Sequence, residues 1–337
     1  MHQSIVPLDD EGDLILFVQD AVYSKSRQFL ASSEKLTAAS RVFATMLGPN
    51  FQEGQKLRAA AAAQQPGNGS QSHPHLPTIK LEEDDVDAMD FILSILHAKT
   101  ERTMVHLTAE RIVKMALQVD KYDCSEALMP WINAWCNPIC FPVDGREKSR
   151  DIGYALLAAY LFRSPNFEAI SAYYAKDLPP DFAQTWEKYD LLAGLPHAVW
   201  DGLTQEVTHT LKEIRCQVLR VAEDMRTSPY MMTCKDPDCL LCEGGETTLP
   251  SRCHRGMSDY FSVLQSVGIW PSLLPFDLMA VNKVVAMIEE IPALLSHRCT
   301  DGAHCRITRE VDKLCQKVAR SRDNMKGVPL PPLFWQS

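Results

Sequence analysis

The sequence predicts a mixed α/β protein of the α+β class, in which a small N-terminal sheet precedes a mostly helical region. Residues 14–18 are an uninterrupted apolar run of strand length, and residues 78–81 alternate between polar and apolar. Beyond Gly145 the apolar residues recur at helical spacing almost to the C-terminus. We therefore predict an N-terminal domain over residues 8–138 and a mostly α-helical C-terminal domain over residues 139–337.

The first elements are predicted from their apolar runs and their capping residues. A polar turn over residues 23–27 separates the first strand from a second at residues 29–30. Ser32 or Ser33 is placed to cap a short helix, and Ser40 to cap another that ends near Gly48. Residues 51–54 are predicted to form the exit loop of this helix pair.

Residues 58–77 change in composition from the segments on either side. An alanine run is followed by Pro, Gly, Asn, Ser and Gln, with no apolar stripe that would offset the entropy cost of ordering the segment. We predict a mobile, low-complexity insertion on the surface, between the helix pair and the strand at residues 78–81.

The remaining elements are predicted to be helices. The acidic residues 82–85 suit the positive end of a helix dipole, Thr108 caps the next helix, and a third covers residues 124–135. Further helices are predicted over residues 146–162, 167–174, 196–225, 260–269, 276–291 and 307–319. The longest carries one apolar stripe from Val199 to Met225, which indicates packing against neighbouring helices.

Composition and charge exclude several classes of protein. The 337 residues favour two domains, at roughly 100–200 residues each. The net charge is −9 and no basic cluster stands out, so we expect no direct binding to nucleic acid. No apolar run approaches the roughly 18 residues of a membrane span, and no secretory leader is evident. We expect a protein of the cytoplasm or nucleus.

The cysteines suggest a metal site. There are 11, an odd number, which in an intracellular chain predicts reduced or metal-bound thiols. The spacing of Cys239 and Cys242 lets two thiolates reach one Zn²⁺. The candidate ligands of a structural zinc are Cys234, Cys239, Cys242, Cys253, Cys299 and Cys305, with His297 and His304 beside them. The alternatives are reduced loop cysteines, or a disulfide between Cys239 and Cys242 that acts as a redox switch.

The other cysteines and the acidic pairs predict no chemistry. The cysteines that lie in or beside apolar helices are interpreted as packing residues: Cys124, Cys136, Cys140, Cys216 and Cys315. The chain has no nucleophile elbow, no phosphate-binding glycine loop and no His-Glu-x-x-His motif. Cys253 and His254 are adjacent in sequence, which is poor geometry for a thiolate pair. We predict that the protein is not an enzyme.

The order of motifs over residues 12–136 resembles that of one known family. The matching residues are Asp13, Phe29, Leu30, Leu36, Ser40, Phe43, Met46, Phe51-Gln52-Glu53-Gly54, Ile79, Leu81, Asp84 or Asp85, residues 91–97, Ala116 and Lys121-Tyr122-Asp123. In this order the segment resembles a BTB/POZ domain, particularly the type that opens many fungal proteins of this size. The insertion at residues 58–77 is longer than the loop usually found there.

The resemblance implies a small sheet wrapped by helices, often dimeric through the first helix and the N-terminal segment. Some members bind cullin scaffolds and present substrates for ubiquitylation, using a hydrophobic-x-Glu motif whose form Phe51-Gln52-Glu53 shares. Phe51 and Glu53 are therefore candidate partner-binding residues, unless Phe51 folds back onto the core. We predict a dimerising or adaptor protein. The alternatives are a transcription-associated scaffold dimer and a thiol- or zinc-dependent enzyme or redox sensor.

The last residues of the chain, 328–335, are rich in proline and aromatic side chains. Two interpretations are open at this point. The segment is either a polyproline-type ligand for another protein or a tail docked on the helical domain.

Overall fold

The computed structural model describes residues 4–20, 25–63, 76–99, 107–143, 145–227, 231–233, 248–250, 254–296 and 306–332. The chain forms two compact units, Met1–Ile170 and Ser171–Leu333. The fold class is mixed α+β, with a four-stranded sheet near the N-terminus and helices through most of the remaining described residues. This confirms the predicted class at that level of detail.

The sheet of the first unit contains four strands in the order β1-β3-β2-β4. They are β1 (Val6–Pro7), β2 (Leu14–Gln19), β3 (Ser26–Ala31) and β4 (Thr78–Glu82). Strands β2 and β3 are antiparallel, whereas β1 runs parallel to β3 and β4 parallel to β2. Leu14, Leu16 and Val18 alternate along β2 and are fully buried, so one face of the sheet forms the core. Strand β1 lies in the N-terminal lead, where we predicted no element.

The first unit contains seven described helices, three between β3 and β4 and four after β4. They are α1 (Ser33–Ala39), α2 (Arg41–Met46), α3 (Gln52–Ala63), α4 (Val86–Leu96), α5 (Ala109–Lys121), α6 (Met129–Trp135) and α7 (Lys148–Leu161). Ser32, Ser40 and Thr108 accept hydrogen bonds from backbone amides and cap α1, α2 and α5, as predicted. Helix α5 packs against α7 as well as α4, so the predicted domain boundary at residue 138 lies inside the first compact unit.

The described part of the second unit is helical apart from one strand pair. Helix α8 (Phe167–Ala175) crosses into it, followed by α9 (Phe182–Trp186), a 3₁₀ turn (Asp190–Gly194) and the long α10 (His197–Thr227). Strands β5 (Met231–Thr233) and β6 (Thr248–Pro250) then pair antiparallel. The last helices are α11 (His254–Ser266), α12 (Pro275–Leu278), α13 (Val281–Glu289), α14 (Ile291–Leu294) and α15 (Arg306–Asp323).

The predicted stripe of α10 is confirmed, because its members from Val199 to Met225 are all buried. Helix α10 packs along α15, which is also amphipathic and buries Ile307, Val311, Leu314 and Val318. No helix in the described part of the chain has the length and apolar content needed to cross a membrane.

Four predicted elements were wrong in extent or type. Residues 51–54 do not form an exit loop, because α3 begins at Gln52. The predicted insertion at residues 58–77 is helical up to Ala63. Residues 64–75 lie outside the described part of the chain. The helix predicted from Cys124 begins at Met129, after a turn. The helix predicted over residues 276–291 is divided into three, because Ala280 is extended and Pro292 opens a new turn.

Candidate functional site

Phe51 lies at the start of α3, on the surface of the first unit. Its side chain is 46% exposed, so the alternative in which it folds back onto the core is wrong. The Phe51 carbonyl accepts a hydrogen bond of 3.0 Å from the Gln55 amide, which ties the residue to the first turn of the helix. Glu53 lies half-buried in the same turn, where the positive end of the helix dipole favours a carboxylate.

Gly54 fixes this helix start against the end of α2. A Cβ atom at Gly54 would lie 2.0 Å from the Gly48 carbonyl oxygen and 2.4 Å from that of Leu47. Only glycine allows so close an approach of two backbone segments. The Arg58 side chain also donates to the Gly48 oxygen, at 3.4 Å. These contacts fix the start of α3 in a position that leaves the Phe51 side chain partly exposed to solvent.

A hydrogen-bond network links α2 to the end of α5 and to the segment after β4. The Ser40 hydroxyl accepts from the Phe43 amide at 3.0 Å and donates to the Tyr122 carbonyl. The Tyr122 ring stacks on Phe43, with centroids 4.7 Å apart, and its hydroxyl donates to the buried Asp84 carboxylate. Asp84 accepts a second hydrogen bond of 2.6 Å from Lys121. This network joins α2, the end of α5 and the segment after β4, and it gives Lys121-Tyr122 a structural role.

His97 fixes the start of α1 in a similar way. Its Nδ1 donates to the Leu93 carbonyl at 2.8 Å, which leaves Nε2 to accept from the Ser32 amide at 3.1 Å. The imidazole is therefore neutral, and burial lowers the pKa of His97 below its ordinary value; the Lys35 ammonium lowers it further and the Asp9 carboxylate opposes this. Asp9 and Lys35 pair with each other at 2.7 Å beside it.

The six cysteines predicted to hold zinc lie outside the described residues, as do His297 and His304. The structure does place the strands that flank part of this region. Strands β5 and β6 pair with Thr233 opposite Thr248, so the segment containing Cys234, Cys239 and Cys242 connects two antiparallel strands. In the described part of the chain, no group of three or more His, Cys, Asp and Glu side chains is arranged to hold a metal ion.

The remaining cysteines divide into two sets. Cys124 is buried and burial raises the pKa of its thiol to about 12, as it does for the partly buried Cys136. Burial also raises the pKa of Cys315. These thiols stay protonated at neutral pH, which suits packing and not nucleophilic chemistry. Cys140 and Cys216 are exposed, so the interpretation of these two as packing residues was wrong.

The end of the described chain is docked on the second unit. The Val328 amide donates to the Ser171 hydroxyl at 2.8 Å, and Met325 is buried. A Cβ atom at Gly202 in α10 would lie 2.8 Å from Val328 Cγ2, so Gly202 makes room for this contact. The docked-tail interpretation is confirmed as far as Val328; residues 333–335 lie outside the described part of the chain.

A cavity of about 410 Å³ lies between α10 and α15, and sequence reasoning missed it. Every residue that lines it is polar or charged. The signal was present in the sequence, as Glu206, Thr210, Glu213 and Gln217 recur at three- or four-residue spacing beside the apolar stripe. That second stripe suggests only a solvated helix face until the partner helix is known.

No known family model matches this chain, and no curated protein matches it.

Proposed function

We propose that this chain is a protein–protein interaction protein without catalytic activity, and that Phe51 with Glu53 forms its partner-binding site. The observation that carries the proposal is the exposure of Phe51 on a fixed helix start. An aromatic side chain held in solvent loses little conformational freedom on binding, and such residues dominate the energetics of protein interfaces. A carboxylate two positions away supplies a charged contact that orients the partner.

The partner we propose is a cullin scaffold, so that the chain serves as a substrate adaptor in a ubiquitin ligase of the cytoplasm or nucleus. Support comes from the resemblance of residues 12–136 to BTB/POZ domains, whose cullin-binding members carry a hydrophobic-x-Glu motif after the second helix. Phe51 and Glu53 follow α2 in this chain and have that form. The same resemblance leads us to propose a homodimer.

Co-elution of the purified chain with a purified cullin N-terminal domain tests the adaptor proposal. We expect a complex with the intact chain and its loss in Phe51→Ala and in Glu53→Ala. Met129→Ala is the matched control, because Met129 is also apolar and 41% exposed but lies on α6. Self-association without cullin binding would favour the rival function, a transcription-associated scaffold dimer. Retention of the complex in Phe51→Ala would contradict the proposed site.

A further inference from the structure

We infer that the cavity between α10 and α15 binds a short peptide with a free ammonium and a free carboxylate. Two hydrogen bonds between its lining residues limit the extent of the cavity. The Lys326 amide donates to Glu206 at 2.8 Å, and Gln217 donates to Ser321 at 3.0 Å. Between them the cavity has about 410 Å³, which is within the range of small-ligand sites.

The two walls of the cavity carry opposite charge. Helix α10 supplies the carboxylates of Glu206 and Glu213, whereas Lys317, Arg320 and Lys326 lie on the side of α15 and the segment after it. Throughout the described residues, none of these cations forms an ion pair with a carboxylate. A ligand with an ammonium at one end and a carboxylate at the other would complement both walls.

One buried polar atom at this site lacks a partner. The Gln217 Oε1 atom accepts no hydrogen bond in the described part of the chain, whereas the amide nitrogen of the same side chain donates to Ser321 and Glu213. A buried polar group left unpaired is costly, and a ligand that offers an N–H donor relieves that cost.

The chemistry of the lining selects the class of ligand. Because every lining residue is polar or charged, the site offers nothing to an aliphatic or aromatic ligand. A peptide group supplies the N–H donor that the Gln217 Oε1 atom lacks. An extended tripeptide of about 10 Å carries its ammonium and its carboxylate at opposite ends, which matches the opposite charges of the two walls.

Isothermal titration of the full chain with triglycine tests this inference. We expect binding of triglycine, and weak or no binding of N-acetyl-triglycine, which lacks the ammonium, or of triglycine amide, which lacks the carboxylate. Lys317→Met should weaken triglycine binding roughly tenfold, the effect of one charge-assisted hydrogen bond.

Lys313→Met is the control for the lysine variant. Lys313 lies on the same helix, pairs with Glu310 at 3.0 Å and does not line the cavity, so its loss should leave the affinity unchanged. Equal unfolding midpoints for the two lysine variants would show that both are folded. Absence of triglycine binding, equal binding of the two blocked peptides, or equal losses in Lys317→Met and Lys313→Met would overturn the inference. None of these outcomes depends on Phe51.

Discussion

At the residue scale, His97 links the stability of the first unit to pH. Its imidazole is held neutral, because burial lowers its pKa in the folded chain below the ordinary value of 6.5. The unfolded chain binds a proton more readily, so the stability that neutral His97 contributes is complete above about pH 6.5 and is lost as the pH falls toward the folded pKa. We predict that the free energy of unfolding decreases in that range.

Urea unfolding of His97→Gln and of the intact chain at a series of pH values measures this contribution. We expect the intact chain to lose more stability than the variant between pH 7.5 and pH 5, by the amount that His97 contributes. His209→Gln is the control, since His209 is exposed. Identical pH dependence in the intact chain and His97→Gln would show that His97 is not the group responsible.

A second prediction for a single residue concerns the Tyr122 hydroxyl. This hydroxyl donates to Asp84, a carboxylate that is buried and depends on Tyr122 and Lys121 for its hydrogen bonds. Tyr122→Phe should lower the free energy of unfolding by about 1.5–3 kcal/mol, the usual range for a hydrogen bond to a charged group. Tyr173→Phe should change it little, because Tyr173 is 46% exposed. Equal effects of the two variants in chemical denaturation would contradict the role given to Asp84.

The sequence predicted residues whose role is local and missed those whose role is not. Ser40 and Thr108 could be recognised as caps because the amides they accept from lie only three residues away. His97 accepts from Ser32, which is 65 residues distant in the sequence, so no local pattern reveals the bond. The exposure of Phe51 was left open because the sequence does not show how closely the backbone at Gly54 approaches Gly48.

At the element scale, the position of α3 depends on Gly54. An alanine Cβ there would meet two carbonyl oxygens of the preceding turn, and backbone cannot yield as a flexible side chain would. Gly54→Ala should therefore destabilise the chain by about 3 kcal/mol, the upper end of the range for overpacking, and displace Phe51. In Gly145→Ala nothing lies within 4 Å of the new Cβ, so its melting temperature should match that of the intact chain. Equal melting temperatures for both variants would refute the close approach.

The strand pair β5–β6 is the second element that carries a prediction. We propose that a structural zinc is held by the cysteines between and beyond these strands. Native mass spectrometry should then find one zinc per chain, lost with a chelator and in Cys239→Ser/Cys242→Ser. Cys216→Ser is the control, because Cys216 is an exposed thiol of α10. A metal-free intact chain would remove this proposal.

Helix boundaries were predicted where apolar spacing and caps agree, and missed where composition misled. The long α10 follows from its stripe, and β4 from its alternation. Helix α3 was missed because Gln52–Ala63 has no apolar face, although its alanines have the highest helix propensity. The predicted low-complexity insertion was started at residue 58, inside α3, whereas the helix ends at Ala63.

At the scale of the whole molecule, the chain combines a mixed α+β unit with a helical unit. Length and composition predicted two domains. The first compact unit also includes α7, because α7 packs against α5. The predicted boundary at residue 138 was drawn from local sequence signals, which do not reveal the long-range packing of α7 on α5. The BTB/POZ resemblance stays a prediction, and function at this scale depends on whether the exposed Phe51 has a partner.

The central proposal is that Phe51 binds a cullin scaffold. Calorimetry tests it by measuring the affinity of three proteins for a cullin N-terminal domain: the intact chain, Phe51→Ala and Met129→Ala. We predict that Phe51→Ala weakens binding by at least about thirtyfold, the effect of losing a 2 kcal/mol anchor residue, with an unchanged melting temperature. Met129→Ala should bind as the intact chain does. Absence of binding by the intact chain, or equal affinities for all three proteins, would contradict the account.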